Sequence, residues 1–488
     1  MNRQRSGLLL VLLVSLLLSA IYSPPYNVKT NDKYVYEYAG MSILKGKAPY
    51  RDFFDHKPPL IFFWNAAALA MGPRGLWLMD VALVLLATVL FYKLCVKSDL
   101  PFPWLLPLLF NLIIRNFLLS RDVGSTREYT ALFQLIFFCV LMGSYRYRYL
   151  VMGLLSGLVF FMQQEQVLPL APFLLYTILG KGTVPLLRRI TELMLGFLAV
   201  LFPILIYFAV HHSLEYFWHD AFLFNLTFYT GDRKSPGEHF RTIKTLLDRA
   251  NLEIPFLTAL VLGVISLFLR HKNKALLITA LAALILGMSA ELIGGRADGR
   301  GGSYEFPGYL LPLSAGVCIV LFLVFSFGED VIFADMRAQL PYAVLLCTSL
   351  SYTSLQHSAH LRKWDEVKAT PELAWLRQQK PSDYQLFLFF DNDHIYYYNE
   401  LNILAPSPWI YQHFWKNYPA WDPDQALLRG IGQDLLSHRT RYIIFDPENA
   451  ALFSNPRNRD WWMAFLSAHY VQMPVPGNDR SLIWRIRP

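Results

Sequence analysis

The stretch Tyr50-Arg51-Asp52-Phe53-Phe54-Asp55-His56-Lys57-Pro58-Pro59-Leu60 lies between segments that are apolar and long enough to cross a bilayer. It carries four charged residues and a histidine, and Asp32 lies upstream of it. Charged side chains are costly to hold beside lipid, and they commonly mark chemistry on a charged, lipid-borne substrate. Together these residues favour a membrane enzyme.

The composition is typical of polytopic membrane proteins. The 488 residues are 54% hydrophobic and only 16% charged, and the mean hydropathy is +0.31, whereas soluble chains carry about 25% charged residues. The net charge of +8 does not indicate a nucleic-acid partner, because the Lys and Arg residues lie in short clusters beside apolar segments. The four cysteines lie in or beside apolar runs, which predicts neither a disulfide framework nor a metal site.

Eleven apolar runs approach the length of about 20 residues that a membrane-spanning helix needs. They lie near residues 7–23, 76–95, 101–119, 129–146, 149–163, 166–181, 190–210, 253–270, 275–292, 308–328 and 339–356. Basic residues concentrate in cytoplasmic loops, and those flanking the runs fall on one side if the N-terminus is cytoplasmic. The sequence therefore predicts a polytopic α-helical membrane protein of about 11 spans, with its C-terminus outside.

The first run has an alternative interpretation. Residues 1–23 have the basic start, apolar centre and small residues of a signal peptide, so this run is either a retained span or a cleaved leader. Both readings deliver the segment 24–75 to the outer side. Within that segment, residues 61–71 are apolar but too short to span, which predicts a helix lying along the membrane interface.

The character of the chain changes after about residue 357, where spanning runs end. Residues 385–390 and 441–446 are bounded apolar runs of strand length, and a polar helical pattern lies between them at 423–436. Residues 469–475 and 481–486 are further strand candidates. We expect a membrane domain over 1–356 and a small extracytoplasmic α/β domain over 357–488.

The segment after the first run carries a longer motif. It reads Asp32-Lys33-Tyr34-Val35-Tyr36-Glu37-Tyr38-Ala39-Gly40, then Pro49-Tyr50-Arg51-Asp52, then Asp55-His56-Lys57-Pro58-Pro59-Leu60. An acidic residue, a Tyr-rich helix and a Lys-Pro-Pro-Leu helix start resemble the first outer loop of the glycosyltransferase C (GT-C) superfamily. More narrowly, the motif resembles the family 39-like group of protein O-mannosyltransferases and lipid A aminoarabinose transferases, especially its uncharacterised bacterial members.

The resemblance implies a multi-pass protein of the bacterial inner (plasma) membrane that modifies cell-envelope glycans or glycolipids. A sugar would pass, with inversion, from a polyprenyl-phosphate donor to a glycolipid, glycan or protein acceptor on the extracytoplasmic side of the bilayer. Asp32 is then the candidate base for the acceptor hydroxyl, and Glu128 is a second candidate catalytic carboxylate. Lys57, with Arg51 or Arg296, would bind the lipid phosphate through charge-assisted hydrogen bonds.

Supporting roles are expected for three further residues, Asp55, His56 and Tyr38. A divalent metal ion is compatible with a set in which Glu128 joins Asp32, Asp55 or His56. The sequence specifies no other cofactor, and the metal requirement stays open.

Each assignment has a structural alternative. Asp32 and Glu128 could each cap a helix, Lys57 could anchor the loop by reaching lipid phosphates, and Arg51 could simply pair with Asp52. For the whole chain, the alternatives are a lipid-carrier flippase or transporter and a catalytically degenerate GT-C relative. The sequence shows no clear internal repeat of the kind that transporters tend to have.

Overall fold

The computed structural model is mostly helical and carries a small sheet near its C-terminus. It describes residues 3–20, 31–115, 124–180, 184–229, 244–245, 247, 253–269, 271–294, 310–327, 370–390, 394–412, 414–415, 421–475 and 478–488. Arg296 and the eleventh apolar run, 339–356, lie outside the described residues.

Helices dominate the described part of residues 3–327. They are α1 Arg3–Ala20, α2 Asn31–Leu44, α3 Leu60–Ala70, α4 Gly75–Lys97, α5 Leu105–Ile114, α6 Thr126–Met142, α7 Arg148–Met162, α8 Ala171–Leu179, α9 Leu186–Val210, α10 Leu214–Trp218, α11 Glu253–Phe268, α12 Lys274–Gly294 and α13 Leu313–Phe327. Two π-helical turns, His219–Leu223 and Asn225–Tyr229, follow α10.

The predicted count of eleven spans is not confirmed. Within the described ranges, α4 and α9 are the two helices long and apolar enough to cross a membrane, and the other apolar helices are shorter. The predicted run at 166–181 is interrupted, because a 3₁₀ helix over Gln164–Leu170 contains Pro169 and α8 begins only after it. Proline lacks the N–H that a continuous α-helix requires.

Helix α9 shows how apolar side chains are distributed over this region. One of its faces is buried at Leu193, Val200 and Ile204, while Ile206 and Val210 are 61% and 69% exposed. A helix that leaves large apolar side chains uncovered is poorly suited to water. This pattern is typical of a helix with one face toward lipid.

Helices α2 and α3 pack closely and carry the motif between them. A Cβ atom at Gly40 would lie 2.7 Å from the backbone N of Ala66 and 2.7 Å from the carbonyl carbon of Asn65. Only a residue without a side chain allows two backbones to approach so closely. Gly40 therefore determines how near α2 comes to α3, and with it the position of the connecting loop over residues 45–59, here called the site loop.

The C-terminal region, residues 370–488, contains a four-stranded mixed sheet. Its helices are α14 Pro371–Gln379, α15 Tyr396–Leu401, α16 Ala426–Ser437 and α17 Pro456–His469, and its strands are β1 Leu386–Leu388, β2 Tyr442–Ile444, β3 Tyr470–Val475 and β4 Asn478–Ile486. The strand order is β1-β2-β4-β3, with β1 parallel to β2 and the other pairs antiparallel. The four strands and α16 lie where the sequence predicts them.

The C-terminal region packs against α2 and the site loop. Lys45 Nζ donates to Asp383 Oδ1 at 2.9 Å, and the backbone N–H of Phe54 donates to the Pro408 carbonyl at 2.9 Å. The backbone N–H of Ala405 donates to the Tyr38 hydroxyl at 2.9 Å. These bonds attach α2 and the site loop to the C-terminal region, which contains the sheet.

Candidate functional site

The site is centred on the Lys57 ammonium group. Lys57 Nζ lies 3.7 Å from Asp32 Oδ2 and 3.7 Å from Asp55 Oδ1. It also lies 5.3 Å from the centroid of the Tyr36 ring, whose face attracts a cation. The Tyr36 hydroxyl lies 3.5 Å from Asp32 Oδ2, one turn along α2. The fold thus places the Asp32 and Asp55 carboxylates beside the Lys57 ammonium group.

The site loop is held by hydrogen bonds on several sides. Tyr50 has a left-handed backbone, with φ of 69°, and its hydroxyl donates to the Lys57 carbonyl at 2.7 Å. Asn225, in the second π-helical turn, donates to the His56 carbonyl at 2.7 Å. The Lys57 N–H donates to Asp55 Oδ1 at 3.1 Å in a local Asx-type turn. The Lys57 backbone is therefore fixed independently of its ammonium group.

The charges of the cluster depend on burial and on each other. Burial opposes the charge of Lys57, but the Asp32 and Asp55 carboxylates outweigh it and raise the pKa of Lys57 well above its ordinary value. For Asp55, burial is the strongest influence and raises its pKa, against the lowering effect of Lys57. Lys57 is therefore a cation at every physiological pH.

The ion pairs of Lys57 are loose. Both are longer than the separation of about 2.7–2.9 Å that a direct charge-assisted hydrogen bond has. Among the described residues, Lys57 Nζ has these ion pairs but no hydrogen bond. An ammonium group has three N–H donors, and the two carboxylates place it without using those donors fully. Lys57 therefore has N–H donors left for a further acceptor oxygen.

Asp220, which the motif does not contain, is a buried carboxyl that Asp55 influences electrostatically. It lies in the first π-helical turn, is 6% exposed, and contacts His219 Nδ1 through its Oδ1 at 2.7 Å. Burial raises the pKa of Asp220 to about 6, His219 opposes this, and Asp55 adds to it. A signal was present in the sequence, since an Asp stands inside the aromatic run 217–229, and π-helical turns frequently mark functional sites.

Arg51 and Tyr38 lie away from the Lys57 cluster. Arg51 Nη2 bonds Asp52 Oδ2 at 2.7 Å, and Arg51 Nη1 donates to the His211 carbonyl at 2.5 Å. Tyr38 is buried with its ring 5.2 Å from that of Tyr398. In the described part of the chain neither side chain contacts Lys57. Arg51 instead pairs with Asp52, which is the alternative role considered for it in the sequence analysis.

Glu128 lies in a separate and fully buried cluster. Glu128 and Asp80 both bond the Arg115 guanidinium group, and Glu128 Oε2 accepts the Gly124 N–H at 2.8 Å. Ser125 caps α6, since its Oγ accepts the Glu128 N–H at 3.3 Å. None of the contacts described for Glu128 reaches the Lys57 cluster. Its position indicates that it joins α4, α5 and α6.

The metal-binding set suggested by the sequence does not form among the described residues. There, no group of three or more His, Cys, Asp or Glu side chains is arranged to hold a metal ion. His56 approaches Asp55 through Nδ1 at 3.5 Å, but Glu128 does not join them. We therefore assign no role to a metal at these residues.

The helical body, with its short charged loop and the sheet region packed over that loop, is similar in fold to a solved structure. The solved structure of ArnT from Cupriavidus metallidurans in the apo state matches with a TM-score of 0.57, over 98% of this chain and 97% of that one. The two sequences are 11% identical, so the likeness concerns the fold. The sequence matches no family model and no curated protein.

Proposed function

We propose that the chain is a multi-pass membrane glycosyltransferase, of the family 39-like group, that uses a polyprenyl-phosphate sugar as donor. The observation that carries this proposal is the Lys57 ammonium group, placed by Asp32 and Asp55 without a hydrogen bond among the described residues. A lipid phosphate is an anion held at the membrane surface, and it would take up the free N–H donors of Lys57. The GT-C fold supports the proposal.

In the proposed reaction, Asp32 and Lys57 have different roles. Asp32 takes the proton of the acceptor hydroxyl, whose oxygen attacks the anomeric carbon and inverts it. The bond between that carbon and the phosphate oxygen breaks, and the lipid phosphate leaves with the electron pair. Lys57 stabilises the departing charge, while general-base assistance by Asp32 is worth roughly 10²–10⁴ in rate.

The surroundings of the reaction are part of the same proposal. The N-terminus is cytoplasmic, and the loop and the C-terminal domain over 357–488 lie on the extracytoplasmic side of a bacterial inner membrane, next to the membrane domain 1–356. The acceptor is a glycolipid, a glycan or a protein of the cell envelope. The exposed apolar face of α9 supports the placement in a bilayer.

The experiment is a panel of polyprenyl-phosphate sugars offered to the purified full-length protein in lipid nanodiscs, with release of free polyprenyl phosphate as the readout. We expect at least one donor to be cleaved, and we expect Asp32→Asn to lower the rate by roughly 10²–10⁴. Lys57→Ala should weaken apparent donor affinity at least tenfold, because it removes the cation.

Asp460→Asn is the matched control, since Asp460 is exposed and pairs only with the neighbouring Arg459 in the part of the chain that is described. It should keep the full rate. Movement of labelled lipid across the bilayer without cleavage would favour a transporter instead. Full activity of a folded Asp32→Asn variant would remove Asp32 as the base.

A further inference from the structure

A polar cavity separate from the Lys57 cluster lies between the site loop and the C-terminal region. Its volume is about 190 Å³, more than ten times the 10–15 Å³ or so that one water molecule needs. Its charged and hydroxyl-bearing lining includes Lys47, Arg51, Asp52, Ser407, Asp434 and His438. Asp32, Asp55 and Lys57 do not line it, and nothing in the proposed reaction uses it.

The formal charges of the lining cancel. Lys47 and Arg51 supply two positive charges, and Asp52 and Asp434 supply two negative ones. Arg51 and Asp52 already pair at 2.7 Å, while Lys47 lies over the Tyr384 ring and forms no ion pair within the described residues. A neutral lining does not favour an anion. Its mixture of donors and acceptors suits hydroxyl groups, because each hydroxyl both donates and accepts.

The lining side chains are positioned by contacts with one another and with their surroundings. The His438 ring stacks on Tyr384, which also lines the cavity, with centroids 4.4 Å apart, and Arg51 donates to the His211 carbonyl. Asp434 lies in helix α16, and His438 directly follows it. A site whose groups are already held in place loses less conformational freedom when a ligand binds.

The cavity also touches α2, the helix that carries Asp32. Tyr38 and Ser42 line it, and they lie six and ten residues after Asp32, which corresponds to about 9–15 Å along the helix axis. A group bound there is too far away to react, but it can belong to the same molecule as the group that does.

We propose that this cavity binds a neutral sugar residue of the acceptor, remote from the hydroxyl that reacts. Naming the ligand as the acceptor rests on the proposed function, while the sugar chemistry rests on the cavity itself. The hydroxyl groups of the sugar form hydrogen bonds with Asp434, His438 and Lys47.

Binding can be tested without knowing the acceptor. The probes are the neutral methyl pyranosides of glucose, galactose and mannose, and the measurement is saturation-transfer NMR on the full-length protein in nanodiscs. We expect saturation transfer to at least one probe, with affinity reduced at least tenfold in Asp434→Asn and in His438→Ala. Asp460→Asn should bind as the unaltered protein does.

Three results would overturn the assignment: no transfer to any pyranoside, equal binding by the cavity variants, or displacement of the sugar by inorganic phosphate. The donor-cleavage assay distinguishes failure of the sugar site from failure of the proposed function. Pyranoside binding without cleavage of any donor contradicts the transferase and keeps the sugar site. Donor cleavage with unaltered binding in the cavity variants contradicts the sugar site alone.

Discussion

Three aspartates close to one another in the fold titrate differently because of their surroundings. Burial raises the pKa of Asp55 and of Asp220. At Asp52, burial acts in the same direction, but the hydrogen bonds from Arg51 and from the Ala48 N–H outweigh it, and the pKa is lowered. As the pH falls, Asp220 therefore takes up a proton well before Asp52 does.

Asp220 gives a prediction about pH and stability. Its pKa of about 6 in the folded protein exceeds its ordinary value of 3.8, so the folded state binds more protons than the unfolded state between these two pH values. Asp220 thus lowers stability as the pH rises from about 4 to about 6. Asp220→Asn should therefore raise the free energy of unfolding at pH 7 by at most about 3 kcal/mol. The measurement is the Tm in nanodiscs, which should rise as well.

The difference between Asp220→Asn and the unaltered protein should disappear below about pH 4, where both carry a neutral side chain at this position. Asp460→Asn, at an exposed position, should leave the Tm unchanged across the same range. A Tm difference for Asp220→Asn that is constant from pH 4 to pH 7 would contradict the titration of this carboxyl.

At the scale of elements, the close contact of α2 with α3 predicts a sharp size limit at Gly40. Gly40→Ala introduces a Cβ atom 2.7 Å from the backbone of α3, which should destabilise the protein by about 1–3 kcal/mol. The movement of α2 should also lower donor cleavage, because Asp32 moves with it. Thermal unfolding and the donor assay measure the two effects.

Gly430 provides the control for the same chemical change. It lies in helix α16, and a Cβ atom there would meet nothing within 4 Å. Gly430→Ala should stabilise the protein by about 0.5–1 kcal/mol, because alanine favours the helix. Equal effects of Gly40→Ala and Gly430→Ala would show that α2 and α3 do not pack as described.

The buried Arg115 cluster predicts a structural role for Glu128. Arg115→Met leaves the Asp80 and Glu128 carboxylates buried without their cation, which should cost about 3–5 kcal/mol. The triple variant Arg115→Met, Asp80→Asn, Glu128→Gln contains no unpaired charge and should recover most of that stability while still cleaving donor. A stable triple variant that is inactive would instead favour the catalytic role predicted for Glu128 from the sequence.

The elements themselves were predictable to different degrees. Strands β1 and β2 could be predicted, because each is a short apolar run bounded by polar residues, and the sheet buries both. The interruption near Pro169 was missed, since hydropathy counts proline and its neighbours without regard to hydrogen bonding. Glu128 was expected, from the family resemblance, to join Asp32, Asp55 or His56. In the structure it pairs with Arg115 instead, and a linear pattern does not show that partner.

At the scale of the whole molecule, the C-terminal region acts as a support for the site. Asp383 accepts from Lys45 and from the Leu404 N–H, both at 2.9 Å. Asp383→Ala should therefore loosen the packing of α2 and the site loop. We expect amide hydrogen exchange over residues 31–57 to accelerate severalfold, up to about tenfold, which corresponds to at most about 1.4 kcal/mol.

Arg377→Ala is the matched control, because it removes an ion pair to Glu400 that lies wholly within the C-terminal region. Exposed pairs of this kind contribute about 0–1 kcal/mol, so exchange over residues 31–57 should not change. Equal exchange in the Asp383→Ala variant and the unaltered protein would mean that the region does not hold the loop. Sequence patterns predicted both partners' segments but not this contact, because 338 residues separate Lys45 from Asp383.

That separation has a consequence for biosynthesis. A ribosome adding about 5–20 residues per second would need roughly 17–70 s to travel from Lys45 to Asp383. During that interval the nascent chain carries the motif without the partner that places it. A polypeptide ended by a premature stop codon before Asp383 would keep every motif residue from Asp32 to Leu60 and yet lack the finished site. The last quarter of the coding sequence is therefore needed before the activity encoded in its first eighth can appear.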